Sequence, residues 1–145
     1  NYQENKYSDI LALSQELSKT DPKNIYTSLA NLYSAKIYHD KKQYDKALTS
    51  LNYIVENSQS DEILNIAKLR SARILIYLKR YDEAKAIIIS IDNYITQAIP
   101  AELLGDVEYY SNNLKEAKKI YQLSLKNEMT PNKRKIIENK INSIN

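Results

Sequence analysis

The stretch Tyr44-Asp45-Lys46-Ala47 returns as Tyr81-Asp82-Glu83-Ala84 and again, loosened, as Leu114-Lys115-Glu116-Ala117. The two spacings are 37 and 33 residues. Periods of this length mark helical repeats, whose helix-turn-helix units bury their apolar faces only against their neighbours. The question therefore moves from which residues do chemistry to what a stacked helical surface can hold.

Working outward, a small residue lies twelve positions before each tetrad alanine: Ala35, Ala72 and Gly105. Four positions after the alanine comes a large one: Leu51, Ile88 and Tyr121. A small residue on a first helix and alanine on a second let two helix axes approach closely, and the large side chain fills the space beside them. This pattern resembles the tetratricopeptide repeat, which has small, Tyr, Ala and aromatic positions at these offsets. Tyr38 stands at that repeat's Tyr position, which Leu75 and Glu108 take in the later units. The expected fold class is all-α: a tetratricopeptide-like solenoid of about three full repeats, an N-terminal half repeat and a C-terminal capping helix.

The period also runs backwards. Tyr7 lies 37 residues before Tyr44, and Ile10 lies 37 before Ala47. Residues 7–19 thus read as the second helix of a repeat whose first helix is missing, closed by Asp21-Pro22. The expectation is of a fragment, or of a partner helix upstream of Asn1. At the other end Thr130-Pro131 supplies an N-cap and a first-turn proline, and Ile136, Ile137, Ile141 and Ile144 form one apolar stripe on a Lys- and Asn-rich helix. The periodicity predicts helices over 7–19, 24–41, 43–57, 61–79, 81–93, 96–112, 114–127 and 131–143. Pro100 inside the sixth marks either its true start or a kink.

Composition narrows the rest. At 145 residues the chain suits one domain that buries about 68–70% of its unfolded surface. With one Gly and three Pro, the backbone has almost no permission for positive φ, so β-hairpins and phosphate-cradling loops are excluded. The net charge of +3 is scattered, and a solvated helix face explains the small Lys133-Arg134-Lys135 and Lys41-Lys42 clusters better than a nucleic-acid site, so no nucleic-acid partner is expected and a basic RNA- or DNA-binding array is the weakest reading. All 13 aromatic residues are Tyr, mostly at repeat positions, which argues against a base-stacking platform. Cysteine is absent, and the longest apolar run, Ile74 to Leu78, is far short of a membrane span.

Catalytic, metal and cofactor sites are not found. His39 is the only histidine, so no nitrogen-rich metal site or Ser-His-Asp set can be assembled. Asp61-Glu62 and Asp82-Glu83 sit near helix starts, where negative charge favours the macrodipole. A binding surface is the better reading. In this repeat class the concave groove is lined by first-helix positions one, four and five after the small residue. Those are Lys36, His39 and Asp40 in the first repeat, Arg73, Ile76 and Tyr77 in the second, and Asp106, Tyr109 and Tyr110 in the third. Tyr and Arg are common interface anchors, although periodicity alone leaves open whether these tyrosines face a partner or pack between repeats.

From Ile63 onward the run Leu69-Arg70-Ser71-Ala72-Arg73, then Leu78-Lys79 leading into Tyr81, Ala101 to Asp106, and the ending Thr130-Pro131 with Glu138 to Ile144, is similar to the YfgM family, the ancillary subunit of the SecYEG translocon. The resemblance covers roughly residues 20–144. It implies a non-enzymatic protein-protein interaction module of a bacterial inner-membrane protein. One N-terminal anchor, outside this sequence, would hold a single tetratricopeptide-like domain, 1–145, in the periplasm. Implied partners are SecYEG, a PpiD-like chaperone and unfolded polypeptide segments, which it passes to the periplasmic chaperone network. Some members are linked to the Rcs stress response. The alternative is a soluble intracellular repeat scaffold that assembles an unrelated protein complex.

Overall fold

The computed structural model describes residues 2–144, and these residues form only helices and turns. The helices are α1 Tyr2–Thr20, α2 Ile25–Asp40, α3 Tyr44–Asn57, α4 Asp61–Tyr77, α5 Tyr81–Ile89, α6 Ala98–Tyr110, α7 Leu114–Ser124 and α8 Pro131–Asn142, with a 3-10 turn at Tyr94–Thr96. The chain forms two compact units, Asn1–Ser71 and Ala72–Asn145, and the division falls within α4.

The spacing argument is met by burial. Ala35, Ala72 and Gly105 are buried, and Ala47, Ala84 and Ala117 are each 0% exposed. The large partners Leu51, Ile88 and Tyr121 are sealed as well. In the third repeat the pairing is tightest, because a methyl group on Gly105 would overlap the Tyr121 ring. The largest filler therefore stands opposite the smallest residue, and each choice requires the other.

In the first unit α2 packs on α3 and on α1. The α1–α2 contact is made by small polar groups: Ser34 donates to Ser14 Oγ at 2.7 Å, and Asn31 donates to Ser18 Oγ at 3.0 Å. Tyr53 of α3 reaches back to the Ser18 carbonyl at 2.8 Å. Helix α1 begins earlier than the periodicity predicts, and Ser14 is its one buried residue.

The turns overturn the expectation drawn from the glycine count. Lys42, Lys79 and Asn112 all have left-handed backbones, with φ of 58, 60 and 66°. They recur at the repeat spacings, each just past the end of a first helix. The hydrogen bonds explain them. Lys42 N–H donates to His39 O and Gln43 N–H to Tyr38 O, both at 2.8 Å. The same pair recurs as Lys79 to Ile76 and Arg80 to Leu75, and as Asn112 to Tyr109 and Asn113 to Glu108. These are Schellman caps, which satisfy the last helix carbonyls and outweigh the steric cost of positive φ without glycine.

Other boundaries also move, and helix α7 ends at Ser124, three residues before the expected 127. Helix α5 ends at Ile89, four residues early, because the β-branched run Ile87-Ile88-Ile89 gives way to a turn with Asn93 at φ 56°. Pro100 marks a start and makes no kink. It sits in the first turn of α6, where its missing N–H has no helical partner to lose. Its ring disfavours continuing the helix backwards, so the preceding residues form the 3-10 turn.

Helix α8 docks through apolar and charged contacts together. Ile137 and Ile144 pack against Ala117 and Tyr121, with Ile141 partly buried and Ile136 left on the outside. Beside them Lys140 donates to Glu102 at 2.7 Å and to Asp106 at 2.8 and 3.0 Å. Lys133 holds the other Glu102 oxygen at 2.8 Å, and the Tyr121 hydroxyl donates to Asp106 at 2.6 Å. Burial would push the Glu102 carboxyl up, but the two lysine ammoniums outweigh it and hold it below its ordinary 4.5. Burial likewise opposes the Lys140 charge, and Asp106 and Glu102 still hold it above 10.5. The Tyr121 phenol is kept protonated well beyond its usual range by burial and by Asp106.

Three outcomes follow for stability. Gly105→Ala destabilises, because overpacking of about 1–3 kcal/mol exceeds the helix-propensity gain of about 1 kcal/mol. In a Tyr121→Leu background the same change becomes neutral or stabilising, as urea unfolding of the double-mutant cycle will show. Lys79→Gly raises stability by about 0.5–1 kcal/mol, since glycine meets no Cβ penalty at positive φ. Finally, Glu102 has a lowered folded-state pKa, so its contribution is complete above its ordinary value and is lost as pH falls through the folded one. Lys140 and Tyr121 have raised values, so theirs is complete at lower pH and is lost as pH rises from about 10. Thermal melts should show a plateau between these limits, and Glu102→Gln should flatten the acid limb at a cost of about 2 kcal/mol at neutral pH.

Candidate functional site

Sequence register assigns three positions on each first helix to a binding face, and the structure treats the three sets differently. On α2, Lys36, His39 and Asp40 are all exposed. Lys36 Nζ holds Asp40 at 2.9 Å one turn away, and His39 Nδ1 lies 3.5 Å from the other Asp40 oxygen. Asp40 is held below its ordinary value chiefly by the Lys36 hydrogen bond, and Lys36 above its own by the same bond. The His39 ring meets Tyr44 edge-on at 5.5 Å. The first set is thus a self-neutralised polar cluster around an exposed helix end.

The other two sets lie in the second unit. On α4, Arg73 and Tyr77 are exposed one turn apart, with Ile76 half-buried and Tyr77 at 67% of full exposure. On α6 the three positions diverge. Tyr110 is 58% exposed. Its ring lies nearly parallel to Tyr81, 6.4 Å between centroids at 9°, and takes Tyr109 edge-on at 5.3 Å and 87°. Tyr109 is half-buried against the Tyr121–Ile137 core. Asp106 turns inward, its carboxylate held by Tyr121 and Lys140. The structure therefore assembles Tyr109 and Tyr110 into one aromatic group supported by Tyr81, the tetrad tyrosine, and anchors their helix through Asp106. Parallel-offset and edge-to-face rings at these separations are the favoured aromatic geometries and fix ring orientation.

Sequence reasoning missed the buried acids. Glu108, at the repeat's Tyr position, is 4% exposed. It accepts from Lys85 at 2.6 Å and from Asn113 at 2.8 Å. Burial would push it up, and these two donors hold it down. The pair lines an open depression of about 850 Å³ with Ile89, Tyr94, Leu114 and Ile120. Signals existed: Glu102 and Asp106 are four apart on one helix, and Lys133 and Lys140 are seven apart on another, so each pair shares a face. Among the described residues no group of three His, Cys, Asp or Glu side chains could hold a metal ion, and no helix is long and apolar enough to cross a membrane. Asp61-Glu62 and Asp82-Glu83 do lie in first turns, with Glu83 paired to Arg80 at 2.6 Å.

Comparison with known proteins bears on this surface. The chain is 32% identical over 86% of its length to a protein of Buchnera aphidicola subsp. Schizaphis graminum, covering 64% of that protein. It is 31% identical to one from Buchnera aphidicola subsp. Acyrthosiphon pisum, over 83% of this chain and 63% of the relative. To one from Escherichia coli K12 it is 27% identical, over 84% and 59%. Each of the three is named "Ancillary SecYEG translocon subunit", the description of the family that the sequence resembles. The chain spans less than two thirds of the length of these curated relatives. No solved structure matches it. The model of the tetratricopeptide repeat-like domain matches residues 1–145, and the chain belongs to that family.

Proposed function

We propose that this chain is the protein-binding domain of a membrane-anchored periplasmic protein of the bacterial inner membrane. In this reading it associates with a SecYEG translocon and passes emerging polypeptides to periplasmic chaperones of the PpiD kind. Family membership and the relatives' names support a non-enzymatic interaction module at a translocon. The observation that carries the binding face is the exposure of Tyr77, with Arg73 one turn away on α4, and of Tyr110 at the equivalent repeat position on α6. Tyrosine gives large contact area for few rotors, and arginine gives several donors.

Roles divide among the nine positions. Tyr77, Tyr110 and Arg73 touch the partner, with Ile76 and Tyr109 completing the apolar area. Asp106 acts indirectly, by fixing α6 through Tyr121 and Lys140. In the first unit, Lys36, His39 and Asp40 form a polar patch with little net charge, because Lys36 and Asp40 already pair. An extended polypeptide with apolar and acidic side chains suits such a surface.

A photo-crosslinking residue at Tyr77 or Tyr110 in the full-length protein should capture translocon subunits and the chaperone, whereas one at Lys126, away from these positions, should not. Arg73→Ala with Tyr77→Ala should weaken capture by about 2 kcal/mol, roughly thirtyfold in Kd, and leave helicity intact. Unchanged capture by that variant would refute the face. The anchor is tested separately: about 20 consecutive apolar residues should stand upstream in the gene.

A further inference from the structure

Helix α8 stands on positions that the repeat register gives to the binding face. Asp106 and Tyr109 are the first and fourth residues after Gly105. Lys140 of α8 holds both Asp106 oxygens, at 2.8 and 3.0 Å. Tyr109 leans on the cluster to which α8 contributes Ile137 and Ile144 is added just beyond its end. Of the third set, Tyr110 alone is exposed.

The way α8 is held makes it both easy to lift and hard to imitate. Its backbone packs on α7, and it reaches α6 through two long lysine side chains. Ile137 is its one buried residue. Much of what it presents to α6 is therefore charge. A buried ion pair adds little net stability, because desolvation of both charges offsets most of their attraction. The same charges are strict about what covers them. The Glu102 and Asp106 side chains are 7% and 16% exposed beneath Lys140. A cover without positive charge would leave two buried carboxylates uncompensated, which is strongly destabilising.

Helix α8 also displays the chemistry that this surface accepts. Lys133, Ile137, Lys140 and Ile144 follow one another at four, three and four residues, so lysine and isoleucine alternate along one helical stripe.

We propose that α8 is an exchangeable plug on the binding face, displaced by an amphipathic helix of a protein partner that carries lysines and branched aliphatic residues in the same alternation. The incoming helix takes over the contacts with Glu102, Asp106 and Tyr109, and it lies beside the exposed Tyr110. Docked, α8 is an autoinhibitory segment. Its tether gives it an effective concentration of about millimolar, so helices without the two lysines do not compete with it. The covered part of the face thus selects a basic helix, whereas the open part around Arg73 suits acidic side chains. The inference rests on the reading of α6 as part of the binding face.

The test uses the whole chain and a fluorescent synthetic peptide with the α8 sequence, residues 129–144, as probe. In the unaltered chain, hydrogen exchange should show α8 amides exchanging about tenfold faster or more than those of α6, through local opening. Ile137→Ala loosens the resident helix without touching a charge, so the affinity for the probe, read by fluorescence anisotropy, should rise about tenfold or more over the unaltered chain. A probe with Lys133→Ala and Lys140→Ala should bind about tenfold more weakly or worse. If Ile137→Ala loses helicity, the exchange rates of the unaltered chain still decide. Amides of α8 as slow as those of α6 overturn the proposal. So does a probe that binds a folded Ile137→Ala chain no better, or a lysine-free probe that binds equally well. None of these readouts uses a translocon component, so their failure is distinct from a failure of cross-linking at Tyr77 or Tyr110.

Discussion

Close approach of two helices at one small residue is the constraint on which each repeat depends. The tetrad alanine and its partner twelve residues earlier carry almost no side chain, so the helices meet nearly backbone to backbone, and the residue one turn on must fill what remains. The chain solves this with Ala and Leu, Ala and Ile, then Gly and Tyr. The third solution does more than fill space. A leucine there would end in methyl groups, whereas the Tyr121 hydroxyl extends past the contact and reaches Asp106. Asp106 in turn binds Lys140 of α8. Replacing Ala by Gly at one position is therefore what lets a packing residue recruit the last helix.

The same economy appears in the turns. Left-handed backbone at lysine costs about 1 kcal/mol or more, and a glycine-poor chain accepts this twice. Each Schellman cap returns two hydrogen bonds to carbonyls that otherwise lack partners. A lysine just past a helix C-terminus also places positive charge against the negative end of the macrodipole. Counting glycines misjudged these turns because it priced the conformation without its hydrogen bonds.

Helix number, order and most boundaries were legible because they follow from periodicities of 3.6 and about 35 residues, both local. The sealed positions were legible for the same reason. What remained hidden depends on partners far apart in sequence: Glu102 with Lys133 and Lys140, or Lys85 with Glu108, pairs separated by 23 to 38 residues. Periodicity can say that Glu102 and Asp106 share a face, but only packing decides that the face meets α8. The candidate site divides along the same line. Register placed Tyr77 and Tyr110 on their helices correctly, yet it could not reveal that Tyr109 leans on the core or that Asp106 points inward. Nor could it show that Tyr81 of the second tetrad braces Tyr110.

These hidden contacts bear on how the surface works. Helix α6 is fixed at three levels, by Glu102, Asp106 and Glu108, to α8, α7 and α5. Its exposed tyrosine is held by one ring on its face and another at its edge. Binding loses affinity to whatever side chains and backbone must be ordered on contact, about 0.5–1.5 kcal/mol for each mobile side chain. A Tyr110 already ordered before the partner arrives avoids most of that loss. The cluster on α2 is held differently, by the Lys36–Asp40 pair and by the edge-on contact of His39 with Tyr44. Rigidity and aromatic area thus coincide on α6, and that coincidence is why the proposed binding face is anchored there.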